Sequence, residues 1–293
     1  MHSISSKCFA DTAQDLKFSI IIPSWNNLDF LKLAVRSIRE NSKYRHQIIV
    51  HVNEGIDGTT EWLNKQQIDY TYSEENIGIC YALNYARQLV KTKFLVYMND
   101  DMYVAPNWDV PFDEEIKRLP NQHFFLSATL IEAQTSNPCA IEQSFGSHWK
   151  DFDEDQFQSK CMDISFNDWH GATWPVNLVH IDLWDMVGGY SVEYTPGFYS
   201  DPDFSKKLWD VGVRYFKGLS QSRVYHFPSQ STKRIKKPNT GRKTFLLKWG
   251  MTSGYFFKQH LKMGTPFNGN LIETNQNKKV LHRIKSIIEL LKH

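Results

Sequence analysis

FSIIIPSWNN, at residues 18–27, begins with a short apolar, β-branched run that Pro23 interrupts. Such a run predicts a buried β-strand that ends in a loop. Apolar residues then recur at helical spacing over residues 30–38, and QIIVHV at 47–52 is a second buried strand followed by a turn that contains glycine. The chain therefore opens as strand, helix, strand.

The same pattern occurs once more downstream. Residues 80–90 have the periodicity of a helix, and KFLVYM at 93–98 has the composition of a buried strand. Alternation of apolar strands with helices predicts an α/β fold with a Rossmann-like, mostly parallel central sheet flanked by helices. Ligands of such sheets gather beyond the carboxyl ends of the strands, which here carry PSWNN, NEGIDGT and NDD.

Two adjacent carboxylates, Asp100 and Asp101, follow the third of these strands. The chain has neither GxGxxG after its first strand nor GxxxxGK[ST], the two common glycine-rich phosphate loops. Adjacent ionised carboxylates repel each other unless a cation or solvent intervenes, and Mg²⁺ typically binds one or two protein carboxylates together with substrate phosphates. The pair is therefore a candidate metal site, with a solvated turn or a helix N-cap as the alternative.

Composition argues against several other classes of protein. The 293 residues contain 34 Lys and Arg against 32 Asp and Glu, so the chain lacks the positive excess of a nucleic-acid-binding protein. Its four cysteines form no CxxC pair, which indicates neither a zinc knuckle nor a disulfide framework and fits a reducing cytosol. No stretch approaches the ~18 apolar residues that cross a bilayer. We expect a cytoplasmic protein, either soluble or attached to the inner face of the membrane.

Five segments resemble, in order and spacing, the family 2 glycosyltransferases of the GT-A fold. They are FSIIIPSWNNLDFLKLAVRSI, IIVHVNEGIDGTTEWL, ENIGICYALNYA, FLVYMNDDMYVAPNW, and VGGYS together with YSDPDFSKKLWDVG. The resemblance implies transfer, with inversion, from a nucleotide-diphosphate-sugar to a glycan or lipid-linked acceptor in cell-surface polysaccharide or glycolipid biosynthesis. It further implies a UDP-sugar as the donor and Mn²⁺ or Mg²⁺ as the cofactor.

The same resemblance implies roles for particular residues on the donor side. Asp101 matches the direct metal ligand of the family's DxD-type motif, and His226, at the end of the predicted strand SRVYH, matches a histidine that completes the metal site in some members. Asn53 and Glu54 replace the usual Asp-Asp or Asp-Asn pair, so they either contact the nucleoside or only shape a turn. The implied donor contacts are Pro23, Trp25, Asn26, Asn53, Glu54, Asn76, Gly78, Asn84 and Asp100.

On the acceptor side, YSDPDF departs from the family's Glu-Asp-x-Asp pattern because Ser200 replaces the glutamate. The resemblance leaves Asp201 on the position of the catalytic base, which must accept the proton of the acceptor hydroxyl group. The alternative is that Asp201 and Asp203 cap the following helix. Asp203 is expected to be such a cap, or to support the site from behind the base.

Aromatic residues are further candidates for sugar contact, because the C–H faces of sugars pack on indole rings. Trp25, Trp169 and Trp174 fall in predicted loops at the strand-end face, where an exposed ring needs a reason. His170 lies beside Trp169 in the segment NDWHGATW. The possible acceptor contacts are therefore Trp169, His170, Trp174 and Asp203, with packing in the core as the alternative for the tryptophans.

We expect a flexible N-terminus at residues 1–16, a GT-A domain at 17–230 and a basic loop with a small helical extension at 231–293. Within the domain, residues 17–112 would form the nucleotide-sugar-binding half and 113–230 the acceptor-binding half.

The C-terminal region differs in composition from the rest of the chain. Residues 229–243 are basic and could bind phosphate, or could form a solvated linker. Residues 278–292 place apolar side chains on one helical face and basic side chains elsewhere, so this helix either packs on the domain or lies on a membrane surface.

Two other functions stay open at this point. A sugar-1-phosphate nucleotidyltransferase also combines an α/β sheet with metal-binding carboxylates, but it would carry a glycine-rich loop with Arg or Lys where this chain has PSWNN. A non-catalytic glycan- or nucleotide-binding module is the second alternative, and the presence of Asp100, Asp101 and Asp201 argues against it.

Overall fold

The computed structural model describes residues 4–9, 15–227 and 240–273, together with Ile284, Ile287 and Ile288. The strands are β1 (Ile4–Lys7), β2 (Ser19–Trp25), β3 (Gln47–Asn53), β4 (Asp69–Ser73), β5 (Phe94–Tyr97), β6 (Met102–Val104), β7 (Phe124–Glu132), β8 (Ala140–Glu142), β9 (Trp169–His170), β10 (Asn177–His180) and β11 (Tyr215–His226). The α-helices are α1 (Leu28–Asn41), α2 (Thr59–Gln66), α3 (Gly78–Ala86), α4 (Val110–Arg118), α5 (Glu154–Lys160), α6 (Ile181–Met186), α7 (Ser200–Asp210), α8 (Gly241–Trp249) and α9 (Ser253–Tyr255). Short 3₁₀ turns occur at Arg87–Leu89 and Val192–Tyr194, and a π-helical segment at Phe256–Leu261.

The strands of the described residues form one 11-stranded sheet in the order β1-β4-β3-β2-β5-β10-β7-β11-β6, with β8 beside β7 and β9 beside β11. β4, β3, β2 and β5 pair in parallel, as the alternation of strands and helices predicts. β10 then enters antiparallel to both β5 and β7, and β7 and β11 are parallel again. The predicted α/β architecture is confirmed, and the antiparallel β10 joins its two parallel parts.

Two apolar cores cover the two faces of this sheet. Ile20 and Ile22 join the core beneath α1, whereas Ile21 between them joins the core beneath α3 and α7. This alternation is the two-residue period of a strand that is buried on both faces. The continuous apolar run at the start of the chain therefore reflects helices on both sides of β2.

β2 continues through Pro23, where the sequence predicts its end. The Ile21 carbonyl oxygen accepts from the Met98 amide on the β5 side at 3.1 Å, and pairing with β5 stops there. Pro23 faces the same side two residues later, so its missing N–H breaks no ladder hydrogen bond. Pairing with β3 on the other side continues to Trp25 opposite Asn53.

The aperiodic segment at residues 1–16 contains a strand that the sequence pattern does not predict. β1 lies at the sheet edge, antiparallel to β4, with Ile4 opposite Ser73. Its exposed polar side chains give no apolar periodicity, and the strand is held by ladder hydrogen bonds.

The C-terminal extension is described only in part. Arg242 and Lys243, predicted in a basic loop, lie in the first turn of α8, while residues 228–239 lie outside the described part of the chain. Ile284, Ile287 and Ile288 are helical, as predicted, and the other positions of the predicted 278–292 helix lie outside the described residues. None of the helices among the residues described has the length and apolar character needed to cross a membrane.

Candidate active site

The carboxyl ends of β2, β3 and β5 meet at one edge of the sheet. The Ser24 hydroxyl group, from β2, donates to Asp100 Oδ2 at 2.7 Å. Asn26 Nδ2 donates to Glu54 Oε2, after β3, at 2.8 Å. Side chains that follow three separate strands are therefore joined by direct hydrogen bonds, as the strand-end rule predicts.

Asp101 and His226 face each other at this edge. Antiparallel pairing sets His226 opposite Met102, and the Phe227 amide donates to the Asp101 carbonyl oxygen at 3.0 Å. Asp101 Oδ1 lies 3.6 Å from His226 Nε2. Both atoms are buried, and neither has a hydrogen-bond partner within the part of the chain that the structure describes.

Glu132 holds His226 from the other side, with its Oε1 atom 2.6 Å from His226 Nδ1. A histidine that binds a metal through one ring nitrogen commonly donates its other N–H group to a carboxylate. Glu132 is not among the residues that the sequence singles out. The available signal was an acidic residue directly after the apolar run FFLSATLI, at the end of β7.

The charges of these three residues compensate one another. Burial raises the pKa of Asp101, and the nearby His226 opposes that shift. Burial would lower the pKa of His226, but Asp101 and the hydrogen bond to Glu132 outweigh it, so this pKa is raised. The two carboxylates thus favour a positive charge at His226.

The unpaired atoms of Asp101 and His226 fit a divalent cation, since Mn²⁺ accepts imidazole as well as carboxylate ligands. No group of three or more His, Cys, Asp or Glu side chains among the residues described is arranged to hold a metal alone. Two protein ligands would leave the other positions to water and substrate phosphates, which is how Mg²⁺ is usually held.

Asp201, in the first turn of α7, lines a cavity of about 550 Å³ together with His226, Glu132 and Trp174. Tyr190 Oη donates to Asp201 Oδ1 at 2.9 Å. Burial raises the pKa of Asp201 to about 7, and the hydrogen bond from Tyr190 acts in the opposite direction. A carboxylate with a pKa near the working pH is well suited to general base catalysis.

Comparison with known proteins identifies the family to which this chain belongs. The family model described as Glycosyl transferase family 2 matches residues 19–172. The chain belongs to glycosyltransferase family 2.

Two relatives come from Bacillus subtilis strain 168. YfnE, an uncharacterised glycosyltransferase, is 30% identical over 95 residues, which are 31% of this chain and 24% of YfnE. TuaG, a glycosyltransferase with a proposed role in teichuronic acid biosynthesis, is 27% identical over 88 residues, which are 28% of this chain and 35% of TuaG. The chain thus spans about a quarter and about a third of these two relatives.

Solved structures confirm the GT-A fold of this family 2 chain. TarS residues 1–349 from S. aureus, in complex with UDP-GlcNAc, align with a TM-score of 0.57 and 13% identity over 79% of this chain and 65% of that one. GalNAc-T7 with UDP, GalNAc and Mn²⁺ aligns with a TM-score of 0.59 and 17% identity over 83% of this chain and 50% of that one.

The NxG segment, Asn76 to Gly78, forms a tight turn beside the carboxyl end of β3. Asn76 Oδ1 accepts from the Gly78 amide at 2.9 Å, and Asn53 Oδ1 accepts from the Ile77 amide at 2.9 Å. Gly78 has φ +76°, and a Cβ atom there would lie 2.8 Å from Pro196 Cα. The carbonyl oxygen of the Asn53 side chain therefore braces this turn. Of the two roles expected for Asn53, nucleoside contact or turn formation, this contact agrees with the second.

Asn84, a predicted donor contact, binds the backbone of Tyr190. Its Nδ2 atom donates to the Tyr190 carbonyl oxygen at 2.7 Å, and its Oδ1 atom accepts from the Tyr190 amide at 2.8 Å. Both polar atoms of the Asn84 side-chain amide are thus hydrogen-bonded to the main chain of Tyr190.

Trp169 and His170 are core residues, and the prediction of an exposed acceptor loop is wrong for both. They form β9, which pairs with β11, and their exposed fractions are 2% and 1%. The Trp169 indole lies so close over Gly218 that a Cβ atom there would come within 1.8 Å of the ring. His170 Nε2 lies 2.7 Å from Asn268 Oδ1. A two-residue strand is too short to show the period that would have revealed it.

Of the remaining acceptor candidates, Trp174 lines the cavity and Asp203 does not. Trp174 is half-buried and meets Phe257, from the C-terminal region, at 5.6 Å between ring centroids. Asp203 is fully buried and binds Trp249 Nε1 at 2.8 Å and Lys248 Nζ at 3.0 Å. No side chain caps α7, so the predicted cap role of Asp203 is wrong. Its carboxylate is also too deeply buried for the predicted acceptor contact, and it anchors α8 instead.

Proposed function

We propose that this chain is an inverting, metal-assisted glycosyltransferase that transfers a sugar from a UDP-sugar to a glycan or lipid-linked acceptor in cell-surface polysaccharide or glycolipid synthesis. The observation that carries the proposal is that His226, a candidate metal ligand, and Asp201, a candidate base, line one cavity of about 550 Å³. Donor phosphate and acceptor hydroxyl group must lie close together for transfer, and this cavity offers a suitable group to each.

Asp201 would accept the proton of the acceptor hydroxyl group while the hydroxyl oxygen attacks the anomeric carbon. Attack from the face opposite the leaving diphosphate inverts the configuration. Asp101 and His226 would hold Mn²⁺ or Mg²⁺, which stabilises negative charge on a departing nucleoside diphosphate. Asp100, held by Ser24 where β2 and β5 end, would accept a hydrogen bond from a ribose or sugar hydroxyl group.

The donor and the cofactor are tested directly with the full chain. UDP-, GDP-, dTDP- and CMP-sugars, each with and without Mn²⁺, are screened for a rise in melting temperature and for release of the nucleoside diphosphate. A UDP-sugar with Mn²⁺ should give the largest rise, because a ligand that binds the native state stabilises it by mass action. Binding without metal-dependent turnover of any donor would favour a non-catalytic module instead.

We also propose that the C-terminal extension attaches the enzyme to the cytoplasmic face of the membrane. Ile284, Ile287 and Ile288 are helical, and 47% to 56% of each residue is exposed. Their spacing of three and four residues places them on one helical face. An exposed apolar face in a basic sequence is typical of a helix that lies in a membrane surface.

A further inference from the structure

Tyr190 lies at the junction of the donor and acceptor halves, and its hydroxyl group reaches the candidate base. Only 1% of the residue is exposed, and its ring stacks on Phe204 with 4.7 Å between centroids and 12° between planes. Within the described part of the chain, Tyr190 Oη is the one side-chain donor to the Asp201 carboxylate, at 2.9 Å. Packing therefore aims a hydroxyl group at one oxygen of Asp201 and leaves the second oxygen without such a donor.

The backbone of Tyr190 is fixed from the donor half. The Asn84 side chain, on α3, binds both the amide and the carbonyl group of Tyr190, as a neighbouring strand would. Gly189 has φ +61°, and a Cβ atom there would lie 2.3 Å from Asn84 Oδ1. Only glycine at position 189 lets the side-chain amide of Asn84 approach the Tyr190 backbone so closely.

We propose that Tyr190 is a positioning residue for Asp201 and that Asn84 sets the place of Tyr190, so that helix α3 controls the orientation of the base. This inference rests on the proposed role of Asp201. The same helix begins at the NxG turn, which packs against Pro196. Helix α3 therefore links the turn beside β3 to Asp201, through Asn84 and Tyr190.

Other titratable groups near Asp201 do not take the place of Tyr190. Tyr97, from β5, donates its hydroxyl group to Asn99 Oδ1 at 2.8 Å. Burial raises the pKa of the Cys80 thiol on α3 to about 12, so this group stays neutral. Loss of the Tyr190 hydroxyl group would therefore leave Asp201 without a replacement among these neighbours.

The charged groups nearby already have partners. Asp203 is paired with Lys248, and Glu132 is paired with His226. Lys207 donates to the carbonyl oxygens of Val187 and Gly189, the residues on either side of Gly188. A change in the proton affinity of Asp201 on removal of the Tyr190 hydroxyl group would therefore report this hydrogen bond.

Tyr190→Phe tests the proposal because it keeps the stacked ring and removes only the hydroxyl group. Without that donor the carboxylate is less stable, so the acid limb of the kcat/KM profile should move upward by about one pH unit. At a pH below this limb, kcat/KM should fall about tenfold, while the donor KM stays unchanged. Tyr44→Phe is the matched control, since Tyr44 Oη donates to Asp113 Oδ2 at 2.7 Å away from the cavity, and its profile should match that of the wild-type enzyme.

Asn84→Ala gives a second test that keeps the Tyr190 hydroxyl group. We expect the same upward shift with an unchanged donor KM, whereas a raised donor KM with an unchanged pH profile would make Asn84 a donor contact and overturn the proposal. A wild-type acid limb in Tyr190→Phe, with Asp201→Asn inactive, would reduce Tyr190 to a packing residue. Full activity of Asp201→Asn would instead refute the proposed base.

Discussion

Asp101 and Asp201 carry the same carboxylate in different surroundings, and these surroundings support the different roles that we propose for them. Asp101 Oδ1 faces the imidazole of His226 without a hydrogen bond, whereas Asp201 Oδ1 accepts from the neutral hydroxyl group of Tyr190. A carboxylate beside an imidazole nitrogen suits a cation, and a carboxylate held by a neutral donor suits proton transfer.

Asp101→Ala should remove metal-dependent turnover while the fold is retained, because it deletes one of two candidate protein ligands. Titration calorimetry measures the affinity for Mn²⁺ in the presence of UDP. Glu132→Gln alters only the support of His226 and should lower this affinity about 10- to 100-fold. Asp101→Ala should lower it more. The control is Asp210→Asn, a change at an exposed residue of α7. Near-normal activity of Asp101→Ala would refute the assignment.

Activity should depend on pH through Asp201, whose pKa burial raises to about 7. The base must be deprotonated, so kcat/KM should fall about tenfold for each pH unit below this value. In the native state Asp201 keeps its proton up to about pH 7, while in the unfolded chain it loses it near pH 4. The contribution of Asp201 to the free energy of unfolding should therefore decrease as pH rises from 4 to 7.

Asp201→Asn should remove both effects, which pH-dependent melting and steady-state kinetics can follow together. A variant that lost activity but kept the slope of stability against pH would show that another group titrates in this range.

At the scale of elements, α8 is held to α7 by a fully buried carboxylate. Asp203 accepts from Trp249 Nε1, Lys248 Nζ and the Ser191 hydroxyl group, which lies 2.6 Å away. A buried charge with three donors is stable, but loss of the carboxylate leaves these donors unpaired. The C-terminal extension is therefore attached to the domain by a polar anchor as well as by apolar packing.

Asp203→Ala should lower the free energy of unfolding by about 3 kcal/mol, as expected when one partner of a buried ion pair is removed. Glu114→Ala, on α4, removes the exposed partner of Arg118 and should cost about 0.5 kcal/mol or less. Urea denaturation compares the two variants. A raised acceptor KM without loss of stability in Asp203→Ala would restore the acceptor role expected from the sequence.

The long elements could be predicted from the sequence, and the short ones could not. β2, β3 and α1 carry enough apolar periodicity to be recognised, because each buries several residues at a fixed spacing. β9 has two residues, so Trp169 was indistinguishable from an exposed loop residue until its pairing with β11 was known. Glu132 approaches His226 only through the pairing of β7 with β11, across 94 positions of sequence.

At the scale of the whole molecule, the apolar face at Ile284, Ile287 and Ile288 should bind membranes. Replacing all three with Ser should reduce flotation with liposomes that contain anionic lipid, since binding scales with the apolar area that enters the interface. Lys→Gln changes in residues 278–292 should weaken flotation at low salt more than at high salt. Equal flotation of the wild-type chain and a chain truncated at residue 275 would rule out this attachment.

The placement of β10 has a consequence for how the enzyme can move. β10 forms hydrogen bonds to β5, which precedes Asp100 and Asp101, and to β7, which ends at Glu132. The two parallel parts of the sheet are continuous through β10, so a hinge motion between them would have to break its ladder hydrogen bonds. We therefore expect substrate entry and product exit to depend on surface loops and side-chain rotations around this sheet.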